Sequence, residues 1–170
     1  MAVRKVCLVG NLASGKSRLA DRLAVELGAP IHSLDKLYWG PGWKPAKSRD
    51  FLARQREIIA GERWIIDGTF AEFGLAERFR AADAVVYLDV PGAYRRSVAR
   101  RGDRRSDLPD GADDTRLGFK WAFLFTAEIV MFNILKRPRI LWTARRCGVR
   151  LYRVRDWPEI DSVVAALTAD

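Results

Sequence analysis

The stretch KVCLVGNLASGKS, residues 5–17, joins a short run of β-forming apolar residues to a glycine-bounded loop that ends in Lys-Ser. Lys5 to Val9 reads as a strand that stops at Gly10, and Arg18 to Leu27 repeats Leu at helical spacing before stopping at Gly28. Between them, Gly10, Asn11, Leu12, Ala13, Ser14, Gly15, Lys16 and Ser17 match G-x-x-x-x-G-K-[ST], the P-loop. In that loop backbone amides and a helix N-terminus converge on phosphate oxygens, and glycine lets the backbone wrap closely around the anion. Lys16 is then expected to set its ammonium against the β and γ phosphates of ATP, and the Ser17 hydroxyl to bind Mg²⁺.

Working outward, Ala29–Ser33 gives a second short strand, and LDKLYWGPGWKP, rich in Gly, Pro and aromatic rings, is expected to be irregular. A helix is predicted from Asp50 to Ala60 with Asp50 as N-cap, a buried strand at Trp64–Ile66 closed by Asp67 and Gly68, and a helix over residues 72–81. Ala84–Val90 is a clearer strand, ended by Pro91, and a helix is expected from Gly92 to Arg101. The polar run that follows has no apolar periodicity and reads as a loop. Val149–Val154 reads as a last strand and Pro158–Leu167 as a closing helix. Strands alternate with helices, so the expected architecture is α/β, a parallel sheet covered by helices on both faces.

The 170 residues match one domain, and an apolar content of 49% with six Trp and eight Phe excludes a disordered chain. Two cysteines, Cys7 and Cys147, and the lone His32 offer neither a disulfide framework nor zinc-ligand spacing. The N-terminus turns polar at once, without a secretory leader, so a cytoplasmic location is expected. Of the net charge of +9, residues 92–155 hold 16 Lys or Arg against 6 Asp or Glu, a local +10. A basic half of this kind suits a polyanion: nucleic acid, an acidic membrane surface or nucleotide phosphates. WAFLFTAEIVMFNIL, residues 121–135, has one charge, Glu128, and is too short to span a bilayer. It reads as a buried helix, with a membrane-surface contact or a dimer seam as the alternatives, so a monomer or a homodimer is expected.

Three groups of residues stand where they can serve the phosphate loop. Asp67, at the end of its strand, is placed to hold Mg²⁺ with Ser17; Asp89, the rival, reads better as a helix-capping residue. On the acceptor side, the loop after the second strand should face the loop after Asp67, because ligands of such sheets lie beyond the C-terminal strand ends. Asp35 sits there and can accept the proton of an attacking hydroxyl or bind a substrate hydroxyl or amine. Trp43 and Gly68 are counted with it as acceptor contacts. Tyr38, Trp39 and Trp43 pack either on one another or on a flat ligand. Finally, Arg95, Arg96, Arg100 and Arg101 put Arg96 and Arg100 on one helical face beside Arg104 and Arg105. Such arginines can close over a nucleotide and stabilise the charge of a transferring phosphoryl group, which makes Arg100 and Arg101 catalytic candidates.

GNLASGKS, HSLDKLYWGPGW, WIIDGTF and YLDVPGAYRRSVARR together resemble the adenylate-kinase-like P-loop kinases, and the HSLD…W…PGW segment is similar to DNA topology modulation proteins. The resemblance covers most of the chain and is strongest from Val3 to Arg101. It implies a P-loop three-layer sandwich whose five-stranded parallel sheet has the order 2-3-1-4-5. It also implies an acceptor-binding segment at about residues 33–62 and a lid at about residues 100–116. It further implies that Arg96 lies near adenine and that Arg100 is a lid arginine on the phosphates. Adenylate kinases follow the Asp-Gly with Phe-Pro-Arg, whose arginine grips the acceptor's phosphate; here Thr69, Phe70 and Ala71 follow. Either Lys36, Lys44 or Arg49 replaces that grip, or the acceptor offers a hydroxyl. The sequence thus leads to an ATP- and Mg²⁺-dependent phosphotransferase acting on a small acceptor, with a nucleotide-regulated DNA-binding protein as the alternative.

Overall fold

The structure, a computed structural model, describes residues 3–90 and 131–169. The expected lid, Arg96, Arg100, Arg101 and most of the apolar stretch 121–135 lie outside the described residues.

Strand β1 (Lys5–Gly10) leads through the glycine loop into helix α1 (Lys16–Leu27), then β2 (Ile31–Ser33), α2 (Leu34–Tyr38) and α3 (Ser48–Ala60). Next come β3 (Trp64–Asp67), α4 (Leu75–Ala81) and β4 (Ala84–Leu88). After residue 130 a single π-type turn (Phe132–Lys136) runs into α5 (Arg137–Cys147), followed by β5 (Arg150–Val154) and α6 (Glu159–Thr168). The sheet order is β2-β3-β1-β4-β5 with every pairing parallel, the order 2-3-1-4-5 expected above. Its register sets Leu8 beside Asp67 and Gly10 beside Leu88, so the ends of β1, β3 and β4 meet at one edge of the sheet.

The alternation of β1 and β4 explains the three layers. Val6, Leu8, Val86 and Leu88 face Leu19 and Leu23 of α1 and Val164 and Leu167 of α6. Their neighbours Cys7, Val9, Val85 and Tyr87 face Phe51 of α3, Phe79 of α4 and Ile140 of α5. These strands are buried on both sides, as a parallel sheet requires, and each such aliphatic side chain contributes about 1.5–3 kcal/mol by leaving water.

Four local expectations need correction. The 34–45 segment is not irregular: the Ser33 hydroxyl accepts from the Lys36 amide at 3.4 Å and starts α2. A small antiparallel hairpin then pairs Trp39–Gly40 with Lys44–Pro45. Helix α3 starts at Ser48, behind Lys47 and without a side-chain cap, so Asp50 lies in its first turn, where a carboxylate favours the helix dipole. Helix α4 starts only at Leu75, because residues 69–74 are held as a loop. Helix α5 was not anticipated; its Pro138 stands in the first turn, where its missing amide costs nothing. At the described end of the 121–135 stretch Phe132 is buried, but Met131, Ile134 and Leu135 are exposed.

Candidate functional site

The loop after β1 doubles back on itself. The Lys16 ammonium donates to the carbonyls of Gly10 at 3.2 Å and Asn11 at 2.9 Å, and the Ser14 amide donates to the Asn11 carbonyl at 3.2 Å. Gly15 adopts φ +94, and a Cβ there would fall 2.3 Å from the Trp157 ring, so both the turn and the contact demand glycine. Trp157, from the loop after β5, thus backs the phosphate loop, and the Arg18 guanidinium lies 5.4 Å from its ring centroid. Sequence reasoning missed this ring.

The end of β3 meets that loop through two hydroxyls. The Ser17 hydroxyl donates to Asp67 Oδ2 at 2.7 Å, and Asp67 is only 6% exposed. Thr69 ties the other side: its Oγ1 donates to the Gly10 carbonyl at 2.7 Å and accepts from the Gly10 amide at 3.0 Å. The residue that replaces the adenylate-kinase pattern therefore fastens the acceptor loop to the first glycine of the phosphate loop. Gly68, between them at φ +140, leaves room for Leu34, whose Cβ would lie 2.7 Å from an added one.

A hydroxyl beside a carboxylate is a hard oxygen pair that fits Mg²⁺, a cation that keeps waters and takes its remaining ligands from phosphate. Among the described residues no group of three His, Cys, Asp or Glu could hold a metal on its own. The helix that Asp89 is expected to cap lies outside the described residues. The Asp89 carboxylate is clamped by Arg153, whose Nε donates at 2.8 Å, by Arg137 at 3.3 Å and by the Tyr87 hydroxyl at 3.1 Å.

Lys16 is the electrostatic centre. Burial lowers its pKa from the ordinary 10.5; the Asp67 and Asp35 carboxylates oppose that shift and the Lys136 ammonium adds to it. Charges on α2, at the end of β3 and in the turn before α5 thus act on Lys16. Asp35 is exposed, in the first turn of α2. Lys36, Lys44 and Arg49 are exposed as well, whereas Lys136, which sequence reasoning missed, is the cation that Lys16 senses.

The acceptor-side aromatics pack on one another. Tyr38 meets Trp39 at 4.8 Å, Phe51 at 5.0 Å and Phe70 at 5.0 Å between centroids, and Trp39 meets Trp43 at 5.8 Å. His32 is partly buried on β2, which lowers its pKa. Phe70 at φ +32 and Trp43 at φ +58 are left-handed despite their side chains, and with Ala13 of the phosphate loop they are the non-glycine residues of that kind among the described residues. Such strain persists only where surrounding contacts over-determine it. For Phe70 the constraint is Arg78. This buried guanidinium donates to the carbonyls of Thr69 at 2.6 Å, Phe73 at 2.9 Å and Phe70 at 3.4 Å, and also to the Gln55 side chain.

No family model and no curated protein matches the chain. Among solved structures, it is similar to shikimate kinase from Acinetobacter baumannii in complex with shikimate, with TM-score 0.60 and 14% identity over 97% of this chain and 93% of that one. The fold is that of the P-loop kinases. Another neighbour is the YorR protein from Bacillus subtilis in complex with phosphorylated GDP, with TM-score 0.55 and 16% identity over 95% and 92% of the two chains. A gluconokinase from Sinorhizobium meliloti 1021 follows at TM-score 0.52 and 18% identity, covering 97% and 89%. No helix among the described residues is long and apolar enough to cross a membrane.

Proposed function

We propose that the protein is an ATP- and Mg²⁺-dependent phosphotransferase that moves the γ-phosphoryl group to a small acceptor. The observation that carries the reading is the 2.7 Å contact of Ser17 with Asp67, which joins the phosphate loop to the neighbouring strand end beside Lys16. The likeness to a shikimate kinase in complex with shikimate and to a gluconokinase supports it.

In this reading Lys16 leaves its carbonyl partners to neutralise the β and γ phosphates, and Ser17 with Asp67 would hold Mg²⁺, which supplies charge neutralisation on the same phosphates. Asp35 faces the acceptor. For a hydroxyl acceptor, the oxygen forms the new bond to Pγ, the bond from Pγ to the β-phosphate oxygen breaks, ADP leaves, and Asp35 takes the hydroxyl proton. Trp43 and Gly68 lie on the segments that would border this acceptor. Arg96, Arg100 and Arg101 are proposed to close on the nucleotide from the lid.

The test is ADP release from Mg·ATP across a panel of nucleoside monophosphates, nucleosides, hydroxy acids and polyols, with Lys16→Ala as control. Acceptor-dependent ADP that vanishes in Lys16→Ala is the expected result, and unchanged turnover in that variant would sink the mechanism. The DNA-binding alternative rests on the basic segment, of which Arg139, Arg145, Arg146 and Arg150 are exposed. It predicts duplex affinity that falls steeply with added salt.

A further inference from the structure

We infer that the outer face of α5, with the turn that leads into it, docks on an anionic lipid surface, whatever reaction the phosphate loop serves. The turn and α5 form one helical ridge whose inner side chains Phe132, Ile140, Thr143 and Ala144 are buried, and α5 packs on α4. A helix that only covers a core turns a polar face to water. Here the outer face carries Met131, Ile134, Leu135 and Trp142, the last three 62%, 59% and 60% exposed. Seven large hydrophobic side chains are exposed among the described residues, and these are four of them, so the exposure is gathered in one patch and not scattered.

Charge decides what covers this face. From Met131 to Arg155 the chain has eight Lys or Arg and no Asp or Glu. Lys136 pairs with Glu72, and Arg137 and Arg153 with Asp89. Arg139, Arg145 and Arg146 instead stand exposed beside the apolar side chains, and among the described residues no carboxylate pairs with them. The Arg146 guanidinium lies 5.1 Å from the Trp142 ring centroid, so cation and indole share the patch. An indole set among aliphatic side chains and arginines suits the boundary between lipid headgroups and acyl chains: the apolar bodies enter, while long arginine stems keep the guanidiniums among the phosphates. Apolar burial and attraction to anionic headgroups then act together. Other occupants fit less well. The ridge is apolar at its start and cationic toward its end, so two copies paired in parallel set arginine against arginine, and two paired antiparallel set arginines against apolar side chains. Duplex DNA would answer the arginines but lay Ile134 and Leu135 against phosphates.

The experiment sediments the full chain with vesicles of phosphatidylcholine alone and of equal parts phosphatidylcholine and phosphatidylglycerol. The protein should pellet with the anionic vesicles and stay in the supernatant with the neutral ones. Trp142→Ala should weaken that binding about 10-fold, and Ile134→Ser combined with Leu135→Ser by at least as much, through lost apolar burial. Arg139→Gln and Arg146→Gln should each weaken it about 5-fold. All five side chains are exposed, so melting temperatures should stay near wild type, which separates lost docking from lost folding. Tryptophan emission should shift to the blue on adding anionic vesicles, and much less so in Trp142→Phe, a readout of this indole entering lipid. Lack of preference for anionic vesicles would overturn the inference, as would vesicle binding that either the apolar or the arginine substitutions leave unchanged. A dimer that Ile134→Ser with Leu135→Ser dissociates, formed in place of vesicle binding, would overturn it by making the ridge a contact between copies. Binding to a DNA duplex but not to vesicles, weakened by Arg139→Gln and not by Trp142→Ala, would overturn it in favour of a nucleic-acid surface.

Discussion

The phosphate loop and the acceptor side hold their shapes by different means. Residues 10–17 are contiguous, and their conformation comes from their own backbone: Gly15 at φ +94, an amide of Ser14 on the Asn11 carbonyl, and a lysine folded onto two carbonyls. The proposed acceptor side is assembled from α2, the 39–45 hairpin and the 69–73 loop, and the 69–73 loop is held largely by one buried arginine. A short motif can encode the first because its interactions are local. The second depends on residues far apart in sequence, so it can diverge between proteins that keep the first.

The largest expected effect tests the point where the two regions join. Asp67→Asn keeps an acceptor for the Ser17 hydroxyl but removes the charge beside Lys16 and the proposed metal. It should lower kcat/KM at least about 100-fold and raise the Mg²⁺ concentration needed for half-maximal rate, with little change in melting temperature. Near-normal activity at ordinary Mg²⁺ would detach Asp67 from the chemistry.

Next in size is a stability contrast. Arg78→Met removes the guanidinium that serves three loop carbonyls and Gln55, leaving buried acceptors unanswered, and should cost about 3 kcal/mol in urea unfolding. Leu12→Ala, at an exposed position of the phosphate loop, should stay within about 0.5 kcal/mol. Equal losses would mean that the acceptor loop does not lean on Arg78.

These contrasts explain what was legible. The alternation of strands and helices followed from the phosphate loop and from the apolar runs within β1, β3 and β4, which are bounded by Gly, Asp or Pro, whereas the sheet order followed from the resemblance to adenylate-kinase-like P-loop kinases. Ser17 was assigned to the metal from the phosphate-loop motif and Asp67 from its place at a strand end. The hairpin at 39–45 was misread because Gly40, Pro41 and Gly42 signal a break while the rings that zip it meet only in three dimensions. Arg78, Thr69, Lys136 and Trp157 carried no motif: each acts across a gap of many residues. Arg78 in particular looked like any charge on an amphipathic helix.

A smaller effect probes how self-contained the phosphate loop is. Gly15→Ala strains a left-handed backbone and drives a methyl group into Trp157, which should cost about 1–3 kcal/mol for the conformation alone. Repeating it in a Trp157→Ala background separates the ring from the backbone. A smaller loss there shows that the ring, a long-range contact, also shapes the loop; the same loss in both backgrounds shows that φ decides it.

The smallest effect links the two regions through charge. Burial and the Lys136 ammonium lower the Lys16 pKa below 10.5, and phosphate binding needs the ammonium, so kcat/KM for ATP should fall as pH rises before 10.5 is reached. The sign for stability is opposite. Between the folded pKa and 10.5 the unfolded chain binds the extra proton, so this lysine's contribution to stability rises with pH over the window in which activity is lost. Lys16→Arg, which stays charged, should lose the basic limb, and the stability difference between it and wild type isolates the lysine from Cys7, whose thiol burial pushes up to about 12. Lys136→Gln should move the limb upward by removing a like charge. A limb that ignores Lys136 would show that the turn before α5 does not act on Lys16, and one that follows it would tie that turn to the protonation of the lysine proposed to bind the ATP phosphates.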